Sequence, residues 1–399
     1  MKIHIDKVRV TPSNMKFAFC VYGEPTDEVA AWAAHWGFRQ EKSGPFTNLL
    51  VPVGYDITQC FETPEPHEYL DGFSPNLNKH LHLGHFCNLI LAKALMGLKC
   101  ANKTVAILGD TLDGEVDKED ALVAFKKWCG TFDYKVDKTL YASQVVLSEE
   151  QEDKMLIPGE GKYKGTLCFY TGEQKVVGKK ADGKTTYFYQ DIALAHTLEK
   201  PYAVITGTEQ KEHFEMVQKL CPWMDHIGMG LVKNDGKKMS SREGNVIMMQ
   251  EIIDELQEQF DNIHLTYNAV AGQLLNYSPA SEKNIVKSQL TDPKHSPGVY
   301  LSYAMARLIS AGCKLNIESR LQSIPLQYAW LKAKSKIDPS ILLKALMDHA
   351  KSVHSLYEQH PIKGNFENRL MFEGLLADLA FGMTELGMFI VTNVPERID

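Results

Sequence analysis

The sequence contains no run of about 18 apolar residues, the length a membrane-spanning helix needs, so no membrane partner is expected. Its first residues, MKIHIDKVRV, lack the apolar core of a secretory signal. It has no CxxC pair: its 8 cysteines stand apart at 20, 60, 87, 100, 129, 168, 221 and 313. That scatter argues against a disulfide framework and against a zinc site, and the expected compartment is the reducing cytoplasm. There is no excess of positive charge. Lys and Arg number 43 against 50 Asp and Glu, a net charge of −7. This excludes a general nucleic-acid coat protein, although docking to RNA needs positive charge only where phosphates lie. Repeats of fixed period and low-complexity stretches are also absent.

What remains is an ordinary globular composition, 44% apolar and 23% charged over 399 residues. That length allows two or three domains, each with its own core. Residues 1–62 read as a small α+β unit. Alternation at Ile3, Ile5, Val8 and Val10 predicts a strand, and TDEVAAWAAHWGF predicts a helix with Thr26 as N-cap and Asp27 and Glu28 in its first turn. Residues 63–290 carry an α/β pattern. TVAIL (104–108) and YAVITG (202–207) are short, apolar and β-branched, as buried parallel strands are. HLGHFCNLILAKALMGL and EQKEHFEMVQKL have helical spacing. Ligands of such sheets bind where strand ends meet helix starts. An insertion around 111–185 interrupts this pattern; its Gly- and Lys-rich part holds the hairpin pieces TLCFYTG and KVVGKK. Residues 291–399 show helical periodicity and predict an all-helical domain, with a small basic cluster at Lys332, Lys334 and Lys336.

Two stretches carry chemistry. Residues 74–85 read SPNLNKHLHLGH. His82-Leu83-Gly84-His85 opens a helix, whose N-terminus favours anions. Gly84 lets a ligand approach the backbone, and two imidazoles there can donate to the phosphate oxygens of a nucleotide. Lys79 adds a mobile positive charge. Taken alone, HxGH reads equally as a helix start with surface histidines. His80, His82 and His85 bring a metal to mind, but no carboxylate or cysteine stands at ligand spacing, so no metal ligands are assigned. Residues 235–245 read DGKKMSSREGN. Gly236, Gly244, Ser240 and Ser241 make a mobile loop, and Lys237, Lys238 and Arg242 make it cationic. Such a loop can close over a triphosphate; the plainer reading is a solvated basic turn.

HxGH early in an α/β domain, with KMSSR well downstream, resembles the paired signature of the class I aminoacyl-tRNA synthetases. The likeness narrows further. S-P-N-x-x-K-x-x-H-x-G-H, carried by Ser74, Pro75, Asn76, Lys79, His82, Gly84 and His85, resembles the arginyl-tRNA synthetases, as does KMSSREGN at 238–245. DGKTTYFYQDIALA (182–195), ITGTEQKEHF (205–214), YLSYAMARL (300–308) and the terminal ELGMFIVTNVPERID resemble other segments of that family, in the same order. The resemblance runs from about residue 68 to the end.

The resemblance implies an α/β fold: a Rossmann-like parallel-sheet catalytic domain at 63–290, the small α+β unit at 1–62 as a reduced N-terminal domain, and a helical anticodon-binding domain at 291–399. It implies activation of L-arginine by ATP, with Mg²⁺, and transfer to tRNA(Arg) by a monomer. His82, His85, Lys79 and Lys238 are then expected to meet the ATP phosphates and the transition state. Gly84, Met239, Ser240 and Ser241 complete the ATP site. Asp71, Asn76, Tyr187, Asp191 and Gln210 are expected to hold arginine, with Asp71 standing where the family has a glutamate. A guanidinium is planar, always charged and carries five donors, so its pocket needs a carboxylate in its plane. Tyr187 and Asp191 lie four apart and share one face of a helix; Asp191 reads alternatively as an N-cap before Ile192. Tyr300, Tyr303 and Arg307 are candidates for reading unstacked anticodon bases, although aromatics at helical spacing are commonly core.

The sequence departs from the family at Phe86-Cys87-Asn88, Tyr189, Ser302 and Met305. Three other readings stay open. One is an arginine-activating ligase with a non-tRNA acceptor. A second is a non-catalytic tRNA-binding relative. The third, a cysteine-specific relative, would need a zinc cluster that the scattered cysteines do not supply.

Overall fold

The computed structural model describes all residues except 11–17, 53, 112, 113, 115, 173, 239–245, 317–320 and 395–399. The chain divides into two units, Met1–Glu65 with Leu256–Ser278 and Lys287–Asp399, and Pro66–Glu255 with Pro279–Val286.

The first unit begins with a four-stranded antiparallel sheet of β1 (Arg9–Val10), β2 (Ala18–Tyr22), β3 (Arg39–Ser43) and β4 (Phe46–Leu50), in the order β1-β2-β4-β3. Helix α1 (Asp27–His35) starts at Thr26, whose hydroxyl accepts from the Val29 N–H, as the cap residue predicts. The strand expected from Ile3 to Val10 is not continuous. Ile3 makes an isolated bridge to Phe61, Ile5–Lys7 form a 3-10 turn capped by His4, and only Arg9–Val10 pair as strand. Ile3, Ile5 and Val8 are all buried. The alternation therefore recorded which side chains face the core, and the His4 cap breaks the extended backbone between them.

The second unit is built on five parallel strands. These are β5 (His67–Asp71), β6 (Ala101–Leu108), β7 (Lys138–Tyr141), β11 (Tyr202–Gly207) and β12 (Met224–Met229), in the order β12-β11-β5-β6-β7. Helices α2 (Leu83–Gly97), α3 (Lys118–Thr131), α5 (Tyr187–Leu198) and α6 (Lys211–Leu220) alternate with them. The chain leaves β5 in one direction through β6 and β7, then returns to its other side through β11 and β12. The topological switch point thus lies between β5 and β11, where doubly wound sheets open a crevice at their carboxyl ends. Between β7 and α5, helix α4 (Glu149–Met155) leads into a small antiparallel sheet of β8 (Leu156–Pro158), β9 (Leu167–Tyr170) and β10 (Lys175–Lys179). Tyr189 ties this insertion to α5: its hydroxyl donates to Glu152 and accepts from the Leu147 N–H at 3.1 Å. That unusual tyrosine is buried, and its polar end is spent on the insertion. A second small sheet joins β13 (Val232–Asn234), β14 (Lys237–Lys238) and β15 (Lys283–Ile285).

The remaining helices are α7 (Met249–Phe260), α8 (Ile263–Leu275), α9 (Pro297–Ser310), α10 (Ile324–Lys336), α11 (Pro339–Gln359) and α12 (Phe366–Glu385). Buried Asn268 of α8 donates to Ser302 Oγ of α9 at 3.1 Å and to the Phe389 carbonyl at 2.8 Å. Ser302 and Met305 are therefore interior positions. The N-terminal segment and α10, read in the sequence as separate pieces, share a core. Phe19, Trp32, Phe38 and Phe61 pack with Tyr328 and Leu331 of α10. The buried Gln327 amide accepts from the Ile57 N–H at 2.9 Å. The basic cluster belongs to the same contact: Lys336 pairs with Asp6, and Lys332 lies 5.8 Å from the Tyr328 ring centroid. Among the described residues no helix is long and apolar enough to cross a membrane.

Candidate active site

The switch point holds a cavity of about 740 Å³. Strand ends supply Asp71 of β5 with Gly72 after it, Ile107 of β6, Thr206 and Gly207 of β11 and Met229 of β12. Helix starts supply His82, Gly84, His85 and Asn88 of α2, Tyr187 and Asp191 of α5, Gln210, and His213 of α6. Asp71, Asp191 and Glu209 give it three acidic side chains, and no lysine or arginine is among its described lining residues. A cavity of equal volume on the N-terminal segment differs in that its acidic side chains are each paired with a lysine: Glu28 with Lys7, Asp6 with Lys336 and Glu24 with Lys42.

The two histidines form the start of α2. His82 is the N-cap; its Nδ1 accepts the Gly84 N–H at 3.1 Å, and His85 Nδ1 accepts the His82 N–H at 3.1 Å. A nitrogen that accepts carries no proton, so each neutral ring bears its proton on Nε2 and offers one N–H donor. The rings stack at 3.9 Å between centroids. Burial, helped by His82 and Lys79, lowers His85 to about 3, and burial with Lys79 also lowers His82. Both imidazoles are thus neutral donors near pH 7. Gly84 is needed for this packing, since a Cβ there would stand 2.9 Å from His82 Cε1.

The acidic side is equally organised. Asp71 is buried at the end of β5, and its carboxylate accepts from Ser74 Oγ, which itself accepts the Ile107 N–H at 2.8 Å. Burial pushes Asp71 up to about 7, against the Ser74 hydrogen bond, and the Asp191 charge adds to the rise. Asp191 is raised by burial and held back by the hydrogen bond and charge of His213. It lies inside α5, one turn after Tyr187, so the N-cap reading is corrected: Thr186 caps this helix by accepting from the Tyr189 N–H. Losing that cap costs about 1 kcal/mol, enough to fray the turn that carries Tyr187. Tyr187 is 69% exposed at the cavity edge. Gln210 ends the turn after β11 without making a capping hydrogen bond.

The second signature stretch is tied to the first. Asp235 and Gly236 both have positive φ and form the two-residue turn of a β13–β14 hairpin, the geometry that Asp-Gly favours. Gly236 is therefore part of a tight turn, where a mobile loop was expected. Lys238 ends β14. Met239, Ser240 and Ser241 lie outside the described residues, as do Arg242 and Gly244. Beyond them, Leu83 N–H donates to the Ile247 carbonyl at 2.9 Å and Met249 N–H to the Leu81 carbonyl at 3.0 Å. The exit of the basic stretch is thus stitched to the segment that carries His82.

Other expected residues lie elsewhere. Asn76 and Lys79 do not line the cavity; Asn76 is exposed and pairs with Gly109 at the end of β6. Tyr300 shares a hydrogen bond of 3.0 Å with His354. Tyr303 and Arg307 line a separate cavity of about 330 Å³ with Tyr357, and the Arg307 guanidinium carbon is 5.8 Å from both ring centroids. Sequence reasoning gave no role to Ser74, Asn88, Glu209 or His213 on the cavity wall, nor to Tyr357. His213 stood inside the quoted segment ITGTEQKEHF, but nothing in its spacing pointed at Asp191.

No family model matches the chain. The arginine–tRNA ligase of Oenococcus oeni is 26% identical over 263 residues, covering 53% of this chain and 46% of that ligase. That of Clostridium botulinum is 27% identical over 264 residues, covering 55% and 46%. The chain spans about half the length of the curated relatives it matches. The arginyl-tRNA synthetase of Thermus thermophilus shares the fold, with a TM-score of 0.62 at 14% identity over 94% of this chain and 96% of that one. The fold is that of the solved arginyl-tRNA synthetases. In sequence the chain is similar to the arginine–tRNA ligases over about half of its length.

Proposed function

We propose that the chain activates L-arginine with ATP and transfers it to tRNA(Arg). One observation carries the reading: an acidic cavity suited to a cation and a pair of neutral imidazole donors at a helix N-terminus meet at one switch point. Asp191, Asp71 and Tyr187 receive the guanidinium, and Gln210 on the cavity wall meets the α-amino and carboxylate groups, while Asn76, off that wall, takes no direct contact. The carboxylate attacks the α-phosphate of ATP, forming arginyl-adenylate and releasing pyrophosphate. His82 and His85 donate to phosphate oxygens, the Gly84 backbone lets the nucleotide approach, and Lys79, Lys238 and the stretch Met239–Ser241 meet the charge that develops. Mg²⁺ enters with ATP as part of the substrate, carried by phosphate oxygens and water. A ribose hydroxyl of the tRNA end then attacks the adenylate carbonyl and releases AMP. No covalent nucleophile on the protein is required; positioning and charge stabilisation do the chemistry. Tyr303, Arg307 and Tyr357 suit unstacked anticodon bases, with Tyr300 beside them.

The test is ATP–pyrophosphate exchange with each standard amino acid, with and without bulk tRNA. Exchange is expected with arginine alone; exchange with another amino acid in its place, or with none, overturns the proposal.

Asp71 adds a pH dependence. Its folded value, about 7, lies above the ordinary 3.8. Its contribution to folding is therefore fully present below the ordinary value and is lost as pH rises through about 7. Arginine binding has the opposite sign, because the guanidinium needs the ionised form. KM for arginine is expected to fall roughly tenfold per unit as pH rises toward 7, then level off. A KM that is flat across this range would show that Asp71 does not meet the substrate.

A further inference from the structure

We infer that His213 is a positioning residue for amino-acid selection: it holds the Asp191 carboxylate in the orientation that receives the guanidinium. The inference rests on the arginine-activating reading above.

His213 is the third residue of α6, and its Nε2 lies 2.6 Å from Asp191 Oδ2 on α5. Among the described residues this is the one hydrogen bond the Asp191 side chain makes. Engaging one carboxylate oxygen sets the plane of the group and leaves Oδ1 for a ligand, and a planar guanidinium binds well only when that plane is set. The imidazole is itself held. Phe188 meets it edge-on at 5.6 Å and 87°, and Phe214 at 5.0 Å and 84°. A pair that only stapled α5 to α6 would need no access to the cavity. Here both side chains line the cavity, and each is 28% exposed. The arrangement parallels that of the other carboxylate. Asp71 is oriented by Ser74, and Ser74 by the Ile107 backbone. Each acid that faces the guanidinium thus has its own holder on the cavity wall.

Two substitutions separate positioning from packing. The amide nitrogen of glutamine reaches about as far as His Nε2, whereas that of asparagine reaches only as far as Nδ1. His213→Gln keeps a donor at Asp191 and His213→Asn withdraws it, while both keep a polar side chain of similar size. The experiment is arginine-dependent ATP–pyrophosphate exchange by the full chain, with MgATP and bulk tRNA present. His213→Asn is expected to raise KM for arginine about ten- to a hundredfold, the worth of a hydrogen bond to a charged group. Its kcat and its KM for ATP are expected to stay within about threefold of the unaltered chain. His213→Gln is expected to keep KM for arginine near the unaltered value. An unchanged KM in His213→Asn, equal losses in the two variants, or a fall in kcat with KM for arginine preserved overturns the inference. If the unaltered chain gives no arginine-dependent exchange, the arginine reading itself fails and the inference falls with it. If that exchange is present, failure of the variants to differ sinks the inference alone.

Discussion

Replacing Asp191 by asparagine lowers kcat/KM for arginine by about 10²–10³, with the loss falling on KM for arginine while KM for ATP holds. The substitution keeps the volume and one oxygen able to accept from His213, and it removes only the charge. The charge matters because the cavity wall is acidic and Asp71 cannot supply it alone. Asp71 is pushed up to about 7 and is only partly ionised at neutral pH. Asp191 is raised by burial too, but the hydrogen bond and charge of His213 oppose the rise. It is thus the carboxylate that His213 helps to keep ionised. A second effect accompanies the first. The Asp191 charge is one cause of the Asp71 elevation, so in the asparagine variant Asp71 ionises more readily. The residual pH dependence of arginine KM then moves to lower pH. Steady-state exchange kinetics across pH measure both effects. A kcat/KM within about threefold of the unaltered chain would remove Asp191 from substrate recognition.

His85→Ala slows adenylate formation by about 10²–10³, the usual cost of one preorganised donor at developing charge. The donor is a neutral Nε2–H, because Nδ1 is occupied by the His82 N–H. Lowering of His85 to about 3 keeps it neutral across the working range. No rate limb from its protonation is therefore expected between about pH 5 and 8. The substitution also removes half of a capping box. That costs about 1 kcal/mol and registers as a small drop in Tm, far too little to account for the rate. If the two stacked imidazoles act as a unit, the double variant His82→Ala with His85→Ala is little slower than either single one. Single-turnover adenylate formation measures this. A rate within about threefold of normal in His85→Ala would assign the histidines to helix capping alone.

The helix at HLGH was legible in the sequence because its signals agree. An accepting side chain at His82 caps a run of apolar residues at helical spacing, and α2 begins where that pattern predicts. The strands TVAIL and YAVITG were legible for the same reason, as short β-branched runs bounded by turns; they lie in β6 and β11. The segment Ile3–Val10 was misread because burial alternates there without strand pairing. Helix α10 lies in the stretch predicted to be helical, but its packing partner was not legible. Its buried face exists only because the N-terminal sheet packs against it, a contact with no local signature. On the cavity wall, Tyr187 and Asp191 could be paired because four residues make one helical turn. His213 could not be paired with Asp191, 22 positions away. That contact depends on how α5 and α6 pack, which periodicity does not encode. Asn76 and Lys79, taken from a linear motif, lie off the cavity wall because the chain turns along the end of β6 before α2 begins.

The most direct measurement is arginylation itself: the unaltered chain with MgATP, labelled arginine and bulk tRNA, scored for label bound to tRNA through an alkali-labile ester. The account predicts that label accumulates on tRNA with arginine and not with lysine or citrulline. Adenylate formation from arginine with no label on tRNA would contradict it and assign the activated arginine to a different acceptor.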